Sequence, residues 1–197
     1  MIGLKRLDNL QDCVSSVIKD QVQGDFVEAG VWRGGATIFM RAALKAFGDT
    51  QRKVWVADSF RGVPKPNRGE CPADEGIDFW KADYLAVSLD SVKENFRFYG
   101  MLDDRVVFLP GWFKDTLPTA PIERLAIMRL DGDLYESTMD SLKSLYPKLS
   151  VGGYVIVDDY NGVRASKRAT DDFREENGIT EEMTKVDFSA VFWKRES

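Results

Sequence analysis

The 197-residue sequence contains no histidine, so acid–base or metal-binding chemistry in this chain cannot rest on an imidazole. It has two cysteines, Cys13 and Cys71, which are isolated and lack CxxC spacing. We therefore expect reduced, structural thiols and neither a zinc site nor a disulfide framework. No apolar run approaches the roughly 18 residues that a membrane span requires, and the start of the chain has no signal-peptide core. These absences predict a cytoplasmic protein without a membrane partner.

The charge balance excludes a second class of partner. The formal net charge is -5 and no block of lysines or arginines is present, so nucleic-acid binding is not expected. Hydrophobic residues make up 44% of the chain and charged residues 30%, which is usual for a globular protein. The length then predicts a single domain over residues 1–197.

Short apolar stretches alternate with helical patterns along the chain. The predicted strands are DFVEAGV, VWVAD, VVFLPG, LAIMRLD and GGYVIVDD. Strands that are separated by helices need right-handed crossovers and a sheet that is covered on both faces. We predict an α/β, doubly wound, mostly parallel sheet, with the tail TKVDFSAVFWKR forming a C-terminal antiparallel strand or hairpin.

Residues 61–87 interrupt this alternation with prolines, glycines and scattered acids, including Pro64, Gly69 and Pro72. Connections of this length are uncommon inside compact domains. Two interpretations are open. The segment is either a lid or substrate loop that folds over an acceptor, or a solvated, disordered loop.

Glycines follow the first predicted strand in the segment EAGVWRGG. The order Gly-x-x-x-Gly-Gly after an acid is not the dinucleotide fingerprint GxGxxG. Glu28 disfavours a pyrophosphate and suits an amino or hydroxyl group, while Gly30 and Gly34 allow a tight turn and a close ligand contact. Asp58 ends the second strand, the usual place of a ribose-binding carboxylate. Together these features favour S-adenosylmethionine, although the glycines alone fit an ordinary strand-to-helix turn equally well.

Aromatic residues after the third strand add to this candidate cofactor site. Trp112 and Phe113 fit an adenine pocket and a core position equally well. The residues that we expect to contact the cofactor are Glu28, Gly30, Gly34, Asp58, Ser59 and Trp112.

Carboxylates follow the fourth and fifth predicted strands. Adjacent parallel strands lie roughly 4.8 Å apart, so Asp131 can meet Asp158 and Asp159 at the carboxyl edge of the sheet. Clustered hard oxygens favour Mg²⁺. The alternative is that strand ends favour aspartate as a turn former, which is less favourable for three acids without basic partners nearby. Asp133 precedes Glu136 by three residues, and we expect it to cap a helix rather than bind the metal.

Five segments together resemble the macrocin O-methyltransferase family: VEAGVWRGGATIFMRA, VWVADSFRGVPKP, FLPGWFKDTLP, RLDGDLYEST and PKLSVGGYVIVDDY. The resemblance runs in order along nearly the whole chain. It implies a class I methyltransferase fold, S-adenosylmethionine as donor and Mg²⁺ dependence. The implied acceptor is a hydroxyl group of a natural-product sugar or of a related polyol or phenol.

The same resemblance assigns roles to individual residues. It implies that Asp131, Asp158 and Asp159 bind Mg²⁺ and that Asp131 is also the catalytic base; Lys167 and Tyr160 are weaker options for the base. Family members carry a further N-terminal segment that helps to close the site and build oligomers. We expect this chain to start after that segment, which leaves a homo-oligomer open.

Two other functions stay open at this point. The doubly wound pattern alone permits a nucleotide-dependent oxidoreductase, although the phosphate-binding turn is missing. A non-catalytic cofactor-binding module is the second alternative, and the complete acid cluster argues against it.

Overall fold

The computed structural model describes residues 2–66 and 71–197. Its strands are β1 (Asp25–Ala29), β2 (Val54–Asp58), β3 (Val106–Pro110), β4 (Leu125–Leu130), β5 (Leu149–Val157), β6 (Thr184–Lys185) and β7 (Val191–Lys194). Its α-helices are α1 (Leu4–Lys19), α2 (Gly35–Ala46), α3 (Leu89–Phe98), α4 (Phe113–Thr116), α5 (Tyr135–Leu145) and α6 (Arg164–Glu176). Short 3₁₀ helices cover Pro72–Asp74, Phe79–Lys81, Asp83–Leu85 and Tyr146–Lys148.

The seven strands form one sheet in the order β3-β2-β1-β4-β5-β7-β6. Strands β1 to β5 are parallel to one another, whereas β7 runs antiparallel to β5 and β6 runs antiparallel to β7. The strand order reverses between β1 and β4, which creates the crevice where open α/β sheets bind ligands. The predicted fold class, including the C-terminal hairpin, is confirmed.

The core lies on both faces of the sheet. Phe26 of β1 packs with apolar residues of α1 and α2, while its neighbour Val27 packs with residues of α5 and α6 on the opposite face. All six residues of β4 are buried. Continuous burial of this kind is typical of a parallel strand that is covered by helices on both sides.

Two details of the prediction are wrong. Leu149 follows Met139, Leu142 and Leu145 at helical spacing in the sequence, which predicts that it belongs to the same helix, but it is the first residue of β5. Pro147 lies in the 3₁₀ turn that follows α5, and a proline has no backbone N–H with which to continue the helix. Phe47 follows Ala43 and Leu44 at helical spacing, which predicts a place on the buried face of the second helix, but it is 48% exposed beyond the end of α2. None of the helices in the described part of the chain is both long and apolar enough for a membrane span.

The segment 61–87 is partly described. Gly69 lies outside the described residues, together with the rest of 67–70. The part from 71 onwards contains three 3₁₀ turns, and the carboxylate of Asp74 is 1% exposed. The two oxygens of Asp74 accept hydrogen bonds from the backbone amides of Tyr135 (2.6 Å) and Glu136 (3.2 Å). The turn Pro72–Asp74 is therefore packed against the start of α5, whereas the residues from 75 to 87 are exposed or half-buried, and both interpretations of the segment stay open.

Candidate active site

A cavity of about 820 Å³ opens at the carboxyl ends of the central strands. The turn after β1, the residues after β2 and β3, and the loops after β4 and β5 all line it. This is the crevice that the reversal of strand order creates. Of the predicted site residues, Gly34 alone is not among the described residues that line the cavity.

The turn after β1 is built around two glycines with different roles. Gly30 has φ +90°, and a Cβ atom there would lie 1.9 Å from the backbone oxygen of Asp131. Gly34 has φ +82°, and a Cβ atom there would lie 3.0 Å from Val92 and 3.2 Å from Phe96 of α3. Gly30 thus lets the turn contact the loop after β4, while Gly34 starts α2 and makes room for α3.

Asp58 and Ser59 organise the backbone at the end of β2. Oδ2 of Asp58 accepts the amides of Val31 (2.8 Å) and Trp32 (3.3 Å), and Oδ1 accepts the amide of Phe60 (2.7 Å). The hydroxyl of Ser59 donates to the carbonyl oxygen of Gly62 at 2.7 Å. Burial raises the pKa of Asp58, and these backbone amides oppose the rise. Both residues hold the wall of the cavity in place, and their contact with a cofactor stays a prediction.

The three acids expected at the metal site lie together. Leu130 at the end of β4 pairs with Val157 at the end of β5, so the residues that follow each strand are neighbours. Asp131, Asp158 and Asp159 each offer a carboxylate oxygen, and these oxygens lie within 4.8 Å of one another. Because β5 ends at Val157, the consecutive Asp158 and Asp159 lie in a turn and both reach the cluster.

The sequence analysis missed Arg129, which lies at the centre of this cluster. It is 3% exposed on β4, directly across from Glu28 of β1. Its guanidinium group contacts the carboxylates of Glu28 and Asp158 and lies 2.9 Å from Oδ2 of Asp131. A buried charge needs such partners. A single arginine inside the apolar run LAIMRL was the available signal.

A second guanidinium group comes from α1. Arg6 contacts Oδ2 of Asp158 and also binds Asp187 at 2.7 Å. The expectation that the acids have no basic partners nearby is therefore wrong, because burial favours ion pairs that sequence distance conceals.

The cluster nevertheless holds more acidic than basic groups. Five carboxyl groups interact in it, against the two guanidinium groups that pair with it: the acids are Glu28, Asp131, Asp133, Asp158 and Asp159. Burial first, and then the neighbouring carboxylates, raise the pKa of Asp159. Its buried Oδ2 has no hydrogen-bond partner in the described part of the chain, and neither has Oε2 of Glu28. An unpartnered buried oxygen is costly, and a hard cation such as Mg²⁺ would satisfy it, so the donor set fits that ion.

Asp133 does not cap a helix as predicted. The residue at the N-cap of α5 is Leu134, no side chain caps it from within the loop, and Asp74 binds the first amides of the helix instead. Asp133 has φ +58°, lines the cavity and contacts Asp159. The local spacing indicated a capping box, but the amide of Tyr135 is bound by Asp74, 61 positions earlier in the chain. Binding to the predicted cation, the alternative to capping, stays open for Asp133.

The two aromatic candidates lie at the cavity, whereas the two alternative candidates for the base do not. Trp112 and Phe113 are partly buried and line the cavity, which fits an adenine pocket. Phe113 also packs against the core, so both interpretations stay open for it. Tyr160 and Lys167 do not line it: the hydroxyl of Tyr160 donates to Asp171 at 2.5 Å and accepts from Lys167 at 2.8 Å. Neither is placed to act as the base in this cavity.

Comparison with known proteins gives matches over the full length of the fold. The profile of the family described as Macrocin-O-methyltransferase (TylF) matches residues 1–195. The chain is 55% identical over 195 residues to 8-demethyl-8-(2,3-dimethoxy-alpha-L-rhamnosyl)-tetracenomycin-C 4'-O-methyltransferase of Streptomyces olivaceus, covering 98% of this chain and 74% of that protein. It is 53% identical to demethyldecarbamoylnovobiocin O-methyltransferase of Streptomyces niveus, covering 99% of this chain and 75% of that protein.

A solved structure agrees with these sequence matches. The structure of the O-methyltransferase NovP superposes with a TM-score of 0.98 at 52% sequence identity, and the match covers 100% of this chain and 81% of that one.

Proposed function

Because the chain belongs to the macrocin O-methyltransferase family and is therefore an S-adenosylmethionine-dependent O-methyltransferase, we propose that it methylates a sugar hydroxyl of a natural product with the help of Mg²⁺. The observation that supports Mg²⁺ is the acid cluster with an unpartnered oxygen at the edge of the cavity. The sugar acceptor is proposed because a relative at 55% identity is named for a rhamnosyl-tetracenomycin substrate. Family membership removes the oxidoreductase and the non-catalytic module. The cytoplasmic location, the single-domain boundaries and the oligomeric state stay predictions.

We propose that Glu28, Gly30 and Trp112 form the cofactor wall of the cavity. S-adenosylmethionine supplies a methyl group on a positively charged sulfur when it is bound. Oε1 of Glu28 pairs with Arg129, whereas Oε2 is buried and unpartnered. This free oxygen suits the ammonium group of the cofactor, because a charged donor would satisfy it. Asp58 already accepts three backbone amides, so a ribose hydroxyl would share an oxygen with them.

Asp131, Asp158 and Asp159 would hold the cation in this proposal. Bound Mg²⁺ would make an acceptor hydroxyl more acidic and offset the charge that its oxygen gains. Among the proposed ligands that form ion pairs, the side chain of Asp131 is 32% exposed and that of Asp158 is 7% exposed. Asp131 pairs with Arg129 through Oδ2, so the cation and the acceptor would share its other oxygen, Oδ1. This exposure supports Asp131 as the residue that takes the proton.

The test is a pair of variants, Asp131→Asn and Asp133→Asn, which remove one charge each from the same loop. We expect Asp131→Asn to abolish methyl transfer while S-adenosylhomocysteine still binds in calorimetry. Methyl transfer that persists in Asp131→Asn and disappears in Asp133→Asn would move the proton acceptor to Asp133. Purified protein with labelled donor, screened against glycosylated natural products with and without Mg²⁺, tests the acceptor class and the metal together.

We also propose that the segment 61–87 closes over the acceptor. Phe79 and Tyr84 line the cavity, and the indole N–H of Trp32 donates to the backbone oxygen of Tyr84 at 2.9 Å. The segment is thus connected to the turn after β1 at the mouth of the cavity. Limited proteolysis with and without cofactor, Mg²⁺ and acceptor tests closure, and identical cutting in both states would contradict it.

A further inference from the structure

Arg6 joins the acid cluster to a distant turn of the chain. It lies in the first turn of α1, and its side chain is 14% exposed. Its Nε donates to Oδ2 of Asp187 at 2.7 Å and its Nη2 to Oδ1 of the same residue at 3.4 Å, while Nη1 contacts Oδ2 of Asp158. One guanidinium group therefore divides its donors between a proposed metal ligand and a residue that has no part in the proposed site.

Asp187 is a well-fixed partner for this arginine. Its Oδ1 accepts the backbone amides of Ser189 (2.9 Å) and Ala190 (2.8 Å) in the turn between β6 and β7. The hydroxyl of Ser189 in turn donates to the backbone oxygen of Asp158 at 2.9 Å. The β6–β7 turn is thus hydrogen-bonded to the backbone of Asp158 in the turn after β5. Asp187 therefore keeps its position independently of the Asp158 side chain.

Both oxygens of Asp158 are occupied by guanidinium groups. Oδ1 contacts Arg129 and Oδ2 contacts Arg6. A divalent cation that uses Asp158 would face a positive charge on each side, and like charges at such short range repel strongly in a partly buried site. Binding of the cation therefore favours the release of one of the two arginines.

The contacts indicate which arginine moves. Arg129 is 4% exposed at its side chain and has two other acids, Glu28 and Asp131, that hold it on the strand. Arg6 is more exposed, lies near the start of a helix and already has a second acceptor in Asp187. Leaving Asp158 costs Arg6 one contact and keeps its other two.

We propose that Arg6 is a displaceable counter-ion: it occupies Asp158 while no cation is bound, and it moves wholly onto Asp187 when a divalent cation enters. This inference rests on the proposed cation site. Arg6 links α1 and the β6–β7 turn to Asp158 in the turn after β5, so binding of the cation should affect the positions of both.

The first test is the variant Arg6→Met, which keeps most of the side-chain length and removes the charge. We expect Mg²⁺ to bind about tenfold more tightly, because a competing positive charge is gone, and the cation-free protein to unfold at a lower temperature, because Asp158 loses a partner. Calorimetric titration with Mg²⁺ in the presence of S-adenosylhomocysteine and thermal unfolding without Mg²⁺ measure the two effects. Arg6→Lys, which keeps the charge, is the matched control and should bind Mg²⁺ nearly as the wild type does.

The second test is Asp187→Asn, which removes the charge of the second acceptor and keeps an oxygen for the turn amides. We expect weaker Mg²⁺ binding in this variant, because a displaced Arg6 has no anion to receive it. The same substitution in the Arg6→Met background should leave Mg²⁺ binding unchanged. The two single substitutions should thus change the Mg²⁺ affinity in opposite directions, and the effect of Asp187→Asn should vanish in the double variant. A general loss of structure would produce neither result.

Three results would overturn the proposal in different ways. Unchanged or weaker Mg²⁺ binding by Arg6→Met refutes the displacement of Arg6 while the cation site stands. A loss of S-adenosylhomocysteine affinity without any change for Mg²⁺ assigns Arg6 to the cofactor instead. Absence of Mg²⁺ binding by the wild-type protein refutes the cation site itself. If Arg6→Met does not fold, Asp187→Asn still decides, because tighter or equal Mg²⁺ binding there contradicts the proposal.

Discussion

Replacing Arg129 with methionine tests how the acid cluster is held together. The guanidinium group contacts three carboxylates, and the arginine is 3% exposed. Removing one member of a buried ion pair typically costs about 3–5 kcal/mol, because the partners stay buried without compensation. Burial already raises the pKa of Glu28 to about 7, so this carboxyl group can take up a proton instead of keeping an unpaired charge. We therefore expect a loss near the lower limit, about 3 kcal/mol.

This loss converts into a measurable change of unfolding temperature. For a protein of this size each kcal/mol corresponds to roughly 2–4 °C, so the Tm of Arg129→Met should fall by about 6–12 °C. Mg²⁺ should raise the Tm of the variant more than that of the wild type, since the cluster has lost a positive charge and gains more from a cation. Thermal unfolding followed by circular dichroism, with and without Mg²⁺, measures both effects.

The matched control is Arg168→Met on α6. Arg168 is 66% exposed at its side chain and pairs with Asp172 at 3.4 Å on the same helix. Exposed pairs of this kind contribute about 0.2–1 kcal/mol, so its Tm should change little. An Arg129→Met protein with the Tm of the control, or with no added response to Mg²⁺, would refute the view that Arg129 holds the acids together.

Two further predictions concern the walls of the cavity. Gly30→Ala should disturb the loop after β4 and reduce methyl transfer and Tm sharply, because the new Cβ would lie 1.9 Å from the backbone oxygen of Asp131. Gly48→Ala is the control, since Gly48 also has a positive φ but a Cβ there would meet nothing within 4 Å, so this variant measures backbone strain without a clash. Equal effects of the two substitutions would contradict the argument. Asp74→Ala should cost about 1 kcal/mol as a lost helix cap and speed proteolysis within 71–87. An unchanged cutting rate would show that Asp74 does not hold the segment on α5.

The fold followed from the sequence because its signals are local. The parallel strands are short and mostly apolar, with five or six residues in β1 to β4 and nine in β5, and the helices between them carry apolar residues at helical spacing. The meeting of Asp131 with Asp158 and Asp159 was also predictable, since carboxyl ends of adjacent parallel strands share one edge.

What could not be predicted depends on partners that are far apart in the chain. Arg6 lies 152 residues from Asp158, and no local pattern connects them. The capping box at Asp133 failed for the same reason, because Asp74 reaches the first amides of α5 from another part of the chain. Local spacing indicates which groups need a hydrogen-bond or ion-pair partner, but the residues that supply these partners are known only from the tertiary structure.

The numbers of acidic and basic groups in the cluster suggest that it does more than form ion pairs. Arg129 lies opposite Glu28 in the register of β1 and β4 and also contacts Asp131 and Asp158. Arg6 is shared between Asp158 and Asp187. The acids after β4 and β5 thus outnumber their basic partners at the edge of the cavity, where burial makes an unpaired charge costly. A divalent cation would offset this imbalance, so under the proposed function the same ion that prepares the acceptor hydroxyl would also stabilise this edge of the protein.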